Sequence, residues 1–435
     1  MPRTGELIRL LRSDAPDFEA RLTELESRRD VDAARIEAVV VGIVDDVRER
    51  GDVALLEAVA SYDGYRLEAN QLALDREAIA AGASKLDAGL REALTEAAAR
   101  IRSYHELHVP ESWERREAGE ILGQRVRALR RVGLYVPAGS APLASTVLML
   151  GIPARVAGVP ELVVATPGNE PHPALLEAAR LAGVTRVIRM GGAQAIAALA
   201  FGTAHVPRVD KIVGPGNAYV QAAKRQVFGQ VAIDAEAGPS EVWIIADATA
   251  PSELVAADLL AQAEHDEMAS VVLATPSASL ARATREALSR QLIDLPRAAL
   301  ARRALGGRSA LIVTRDLDEA VALANRYAAE HVQIMTAEPE RLLDRVENAG
   351  AVFLGTASPV PIGDYLAGPS HVLPTGGTAR FFSVLGVEDF VKRSSVIQIS
   401  PQAAEALTVT AARLARMEGL EAHARALEMR LKRGE

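Results

Sequence analysis

Cysteine is absent from all 435 residues, which excludes disulfides, thiolate-held metals and iron–sulfur clusters. Any metal must be held by nitrogen and oxygen donors. Aromatic residues make up only 4% of the chain, and the formal net charge is −8. Nucleic-acid surfaces need basic stripes and stacking rings, so this composition argues against a nucleic-acid partner. The chain has no apolar run of about eighteen residues, the length a spanning helix needs, and Met1–Glu6 carries no signal-like apolar stretch. The sequence therefore predicts a soluble, cytoplasmic protein without membrane contact. Solenoid repeats, low-complexity tracts, a P-loop GK[ST] and G-x-G-x-x-G are also missing.

What is present is 49% hydrophobic and dominated by Ala, Leu and Val, a composition that suits helices packed on parallel strands. The length exceeds one compact core and predicts two to four domains. The first 120 residues read as helices, with amphipathic runs at 31–49 and 87–108. From Arg125 short β-rich runs alternate with helical ones. Strands are predicted at 161–166, 186–190 and 211–213, with helices near 174–182, 191–202 and 217–228. The alternation then repeats, with strands at 242–247, 270–275, 310–313 and 351–354. This is βαβ patterning, hence parallel sheets. A boundary near Ala237-Gly238-Pro239-Ser240 separates the two units. After Ser400-Pro401 the chain is helical to its end, and this tail is too short to fold alone. The fold class is α/β: two Rossmann-like parallel-sheet units with helical N-terminal and C-terminal segments.

Four places could carry chemistry. The run Gly363–Thr378 holds Asp364 and His371 in a stretch so rich in Gly and Pro that a stiffened loop is predicted; an ordinary turn-rich connection is the plainer alternative. Gln262 and His265 are three apart at a helix C-terminus and share a face, so an oxygen and an imidazole could converge on a cation. For the pair taken alone, an exposed Gln beside a His favourably placed at a helix C-terminus is the plainer account. Glu330-His331 lies between a helical run and a strand-like one, and the pair suits proton handling; a solvated helix end is the alternative. Gly191-Gly192-Ala193-Gln194 and Gly214-Pro215-Gly216-Asn217 each follow a strand and open a helix, where backbone N–H groups can meet an anion. Tight turns alone would account for these glycines.

Taken together, these segments resemble the histidinol dehydrogenase family over nearly the whole chain. The resemblance is carried by Gly133-Leu134-Tyr135-Val136-Pro137, Gly191–Ile196, Gly214–Ala218, Ala237-Gly238-Pro239-Ser240-Glu241, Gln262–His265, Glu330-His331, Gly363-Asp364-Tyr365, His371–Thr375 and Glu418-Gly419-Leu420. It implies an NAD-dependent four-electron oxidation of L-histidinol through L-histidinaldehyde to L-histidine. It implies one Zn²⁺ per subunit, bound by Gln262, His265 and Asp364 and by His423 from the other subunit of a homodimer. His331 would be the general base and Glu330 would activate the water that adds to the aldehyde. Ser240, His371 and Glu418 would line the substrate pocket with His331 and the metal ligands, and Tyr135, Gln194 and Asn217 would hold NAD. The implied division is a helical arm over 1–24, a metal-bearing α/β domain from 25–133 and 240–385, an NAD-binding α/β domain over 134–239, and a helical segment over 386–435 that reaches the partner's site.

A chain without cysteine must oxidise an aldehyde through its hydrate, and that needs a positioned base and a water. Three departures bear on substrate identity. Val360 stands where the family often has an acid before Gly-Asp-Tyr, Gln333 where an acid is common, and Ser370 where Asn is common. They leave open a paralogue that oxidises another small polar alcohol with the same metal and base.

Overall fold

The computed structural model describes residues 7–27, 33–137, 142–235 and 238–431; Ala237 of the Ala-Gly-Pro-Ser-Glu motif and residues 1–6 lie outside them. Two six-stranded sheets organise the chain. Sheet I runs, in spatial order, Arg9–Arg12, Ala310–Val313, Ser270–Thr275, Glu241–Ala246, His331–Met335 and Ala351–Leu354, all parallel. Its central strands are buried on both faces, which is why Glu241–Ala246 and Ser270–Thr275 read as continuous apolar runs. Sheet II runs Ala73–Leu74, Arg186–Arg189, Glu161–Thr166, Arg131–Tyr135, Lys211–Val213 and Ala232–Ile233, parallel except for its first strand. The expected βαβ units are present, and the fold class holds.

The N-terminal third departs from expectation. Arg9–Arg12 is an edge strand of sheet I, and helix Phe18–Glu26 packs Phe18 and Leu22 against Trp243 and Tyr327. Residues 7–24, the described part of that segment, are therefore not simply a helical arm. Helix Ala33–Arg50 buries Val40 and Val44 with Ile196 and Val220 on one face of sheet II. Helices Arg76–Ala83 and Ala88–Glu106 bury Ile79 and Ile101 with Val147 and Leu176 on its other face. The helices of 33–106 thus pack on sheet II and not on the sheet formed by 241–354. Amphipathic helices advertise a buried face without saying which sheet receives it.

A third sheet was missed entirely. Strands Trp113–Glu117, Glu120–Ala128 and Val391–Ile399 form an antiparallel ribbon. All five residues of its first strand are exposed, so no buried alternation marks it. The ribbon leads to helices Pro401–Met417 and Glu421–Leu431, the first opened by the Ser400 cap and Pro401 as expected. Among the described residues, no helix is long and apolar enough to cross a membrane.

Candidate active site

In sheet II the helices that follow Arg131–Tyr135 and Lys211–Val213 lie on opposite faces, with Ala144–Val156 in one apolar cluster and Ala218–Val227 in the other. This is a topological switch point, and the crevice beyond the strand ends is the usual ligand position in such sheets. Tyr135, Gln194 and Asn217 all stand at that edge. The Tyr135 hydroxyl accepts from Gly192 N–H at 3.1 Å, and burial pushes its pKa up to about 12. Gly214, at φ +124°, lies so close to the Tyr135 carbonyl that a Cβ would collide with it.

The glycine-rich turns are filled from within. Asp63 accepts from Gly191 N–H at 3.0 Å, so Asp63 and Tyr135 together take the first two N–H groups where an anion was expected. Asp234 accepts from Gly214 N–H at 2.7 Å and pairs with the buried Lys224 ammonium. The Asn217 side-chain oxygen caps its own helix, accepting from Tyr219 and Val220 N–H at 3.1 Å each. Gln194 is almost fully buried in helix Gly192–Phe201.

Sheet I uses the opposite edge. His331 begins strand His331–Met335, beside Val242 on the neighbouring strand. Its Nδ1 lies 2.9 Å from the Glu241 carbonyl oxygen. A carbonyl can only accept, so Nδ1 carries the hydrogen and Nε2 is the basic nitrogen. Burial lowers the imidazole to a pKa of about 4, so it is neutral at pH 7. Glu330 is buried beside it, with Oε2 3.5 Å from His331 Nδ1. Its carboxyl is pushed well above the ordinary range, first by burial and also by the charges of Glu241 and Asp364. Glu241 N–H donates to Glu330 Oε2 at 2.9 Å.

Asp364 does not lie on a loop. It sits in the short helix Val360–Tyr365, where Pro361 occupies the first turn and its missing N–H costs nothing. The rest of Gly363–Thr378 forms a strap that joins the two sheets. His371 Nδ1–H donates to the Asp364 carbonyl at 3.0 Å, while Thr146, on a helix of sheet II, donates its hydroxyl to His371 Nε2 at 3.4 Å. Burial lowers His371 to about 4. Thr375 accepts from Gly238 N–H, tying the strap to the crossover before sheet I. His265, His331 and His371 lie near enough to perturb one another electrostatically.

Among the described residues, no three His, Cys, Asp or Glu side chains are placed to hold an ion. In the ligand set drawn from the sequence, one chain supplies only two such side chains to its own site, His265 and Asp364, beside one amide, and the third, His423, comes from the other subunit. Two observations fit a cation there. Gln262 is buried with one end of its amide unpartnered, and the two ends of an amide are interchangeable by a flip. The Asp364 carboxyl is raised to about 6 by burial, with no cationic side chain among the described residues to offset it. His265 is exposed just past helix Ser252–Ala263, and partial desolvation still lowers it.

Ser240 is half-buried and turned into the strand start, its carbonyl accepting from Ser270 N–H at 3.0 Å. Glu418 and His423 are exposed on the C-terminal hairpin, and no described hydrogen bond or ion pair links them to the other site residues. That hairpin has its own small apolar cluster of Ala412, Ala415 and Ala424, and it exposes Val409, Leu414, Met417 and Met429.

The sequence reading missed Glu241, Asp63 and Asp258. Glu241 stood inside a quoted motif, and a charged residue opening an apolar strand was a usable signal. Asp258 accepts from Gln333 Nε2 at 2.8 Å, so Gln333 has a carboxylate partner inside the protein. Val360 is buried in the apolar cluster of sheet I with Leu259 and Met335, and Ser370 is buried with its hydroxyl accepting from Val372 N–H at 3.2 Å.

The family model described as histidinol dehydrogenase matches residues 26–431. A histidinol dehydrogenase from Syntrophotalea carbinolica is 48% identical over 98% of this chain and 100% of its own length. One from Bordetella parapertussis is 49% identical over 98% of each. The crystal structure of histidinol dehydrogenase from Elizabethkingia anophelis superposes with a TM-score of 0.91 at 34% identity, covering 98% of both chains.

Proposed function

This chain belongs to the histidinol dehydrogenase family, oxidoreductases of histidine biosynthesis, and we propose that it oxidises L-histidinol in two NAD-dependent steps at a zinc site shared between two subunits. The observation that carries the reading is the buried Glu330-His331 pair with the imidazole fixed in its Nδ1–H form. His331 Nε2 takes the hydroxyl proton as hydride passes from the substrate carbon to the nicotinamide, leaving the aldehyde and NADH. Glu330, once ionised, takes a proton from the water that adds to the aldehyde carbon. His331, having returned its first proton to the aldehyde-derived oxygen, then removes a hydrate hydroxyl proton as a second hydride passes to a second NAD, giving the carboxylic acid, which ionises.

Gln262, His265 and Asp364, with His423 from a second subunit, would hold Zn²⁺, which when bound polarises the substrate and fixes its position. The unpartnered Gln262 amide and the uncompensated Asp364 carboxyl support this assignment. Ser240, His371 and Glu418 would line the substrate pocket. Tyr135 and Gln194 would hold NAD at the switch point, and Asn217 would do so through its amide nitrogen, because its oxygen caps the helix. The exposed apolar side of the C-terminal hairpin supports a homodimer that carries His423 across the interface.

The test is NADH formation from L-histidinol by purified protein before chelation, after chelation and after zinc is restored. Activity that is lost and regained with zinc supports the reading. Full activity in zinc-free protein contradicts it.

A further inference from the structure

Glu241 opens a strand that is buried throughout, and only 3% of the residue is exposed. A carboxylate at the head of a central parallel strand is costly to desolvate, so its contacts should account for it. Three of them go to two neighbouring residues. Its N–H donates to Glu330 Oε2 at 2.9 Å, and its side-chain Oε2 accepts from Glu330 N–H at 3.4 Å. Its carbonyl accepts from His331 Nδ1–H at 2.9 Å. Two buried carboxyls therefore each receive the other's backbone hydrogen, and the same residue sets the imidazole tautomer. Gly350 closes the other side, where a Cβ would come within 2.6 Å of the Glu330 carbonyl oxygen.

We propose that Glu241 is a positioning residue of this active site, holding Glu330 and His331 in fixed relation and supplying, beside Asp364, one of the two negative charges that face Glu330. This rests on the reading of Glu330 and His331 given above. The backbone N–H and carbonyl are kept in Glu241→Gln and Glu241→Asp, so these variants isolate what the carboxylate adds. Like charges in a buried pair oppose ionisation of both. Removing the Glu241 charge therefore makes Glu330 ionise at lower pH, and the effect is confined to the step that uses Glu330 as a base.

The experiment compares pH profiles of kcat for L-histidinol and for L-histidinaldehyde as separate substrates, using the zinc-loaded enzyme. In Glu241→Gln, which keeps an acceptor for Glu330 N–H, the acid limb with histidinaldehyde should move down by about one pH unit. The limb for the first hydride transfer from histidinol, read in single-turnover kinetics because full turnover also passes through the Glu330 step, should stay in place. Glu241→Asp, which keeps the charge on a shorter arm, should lower kcat while leaving both limbs where the wild type has them. Superimposable histidinaldehyde profiles for Glu241→Gln and wild type would overturn the proposal, as would equal displacement by Glu241→Asp. Failure of the wild type to oxidise histidinaldehyde would instead defeat the functional reading itself.

Discussion

The Glu241 carbonyl and the His331 imidazole are joined by one hydrogen bond of 2.9 Å, which leaves Nε2 as the basic nitrogen of a buried, neutral ring. His331→Asn keeps a donor for that carbonyl and removes the base. We expect kcat to fall by roughly 10²–10⁴-fold, the usual worth of a positioned base, with little change in KM for L-histidinol. Steady-state kinetics checks this, and a loss below about tenfold would remove His331 from the role.

The same burial makes stability depend on pH. His331 titrates near 6.5 when unfolded and near 4 when folded, so the unfolded chain binds more protons between those values. Its contribution is present above pH 6.5 and is lost as pH falls towards 4, by roughly 3 kcal/mol at most. Glu330, raised by burial, acts in the opposite sense. Denaturant melts at pH 7 and pH 5 should therefore show a smaller acid loss in His331→Asn than in wild type. Equal losses would mean that the folded imidazole is not held neutral.

Chelation of the metal should abolish NADH formation and leave the far-ultraviolet circular dichroism nearly unchanged. Gln262, His265 and Asp364 sit at helix ends and are not members of the apolar clusters that hold the sheets together. Collapse of the helical signal on chelation would contradict this placement.

Tyr135→Phe removes the acceptor of Gly192 N–H at the sheet II edge. Leaving that partly buried donor unpaired should cost about 1–3 kcal/mol, and KM for NAD should rise more than KM for L-histidinol. An unchanged KM for NAD would take Tyr135 out of the cofactor site.

If His423 reaches the neighbouring subunit's site, inactive His423→Asn and His331→Asn proteins should recover partial activity when their subunits are exchanged. One of the two sites in the mixed dimer would then be intact. No recovery despite demonstrated heterodimers would show that His423 acts within its own chain or not at all.

Strands such as Glu161–Thr166, Lys211–Val213 and Ser270–Thr275 were legible because two-faced burial writes an apolar run broken only at the strand ends. Asp364 was misplaced because Gly and Pro suggest a loop, whereas Pro361 is harmless in a first helical turn. The exposed ribbon strand Trp113–Glu117 buries nothing and so leaves no pattern. The charges filling the glycine turns were invisible for a different reason: Asp63 lies 128 positions from Gly191, and no local spacing reports that meeting. Chemistry-bearing residues could be picked out by type, but their convergence comes from sheet register and from the strap that carries His371 to Thr146.

The most direct measurement is NADH formed per mole of L-histidinol run to completion with zinc-loaded protein, together with identification of the product. Two NADH per substrate, with L-histidine as product, is the result this account predicts. One NADH with aldehyde released, or no reaction from folded, zinc-loaded protein, would contradict it.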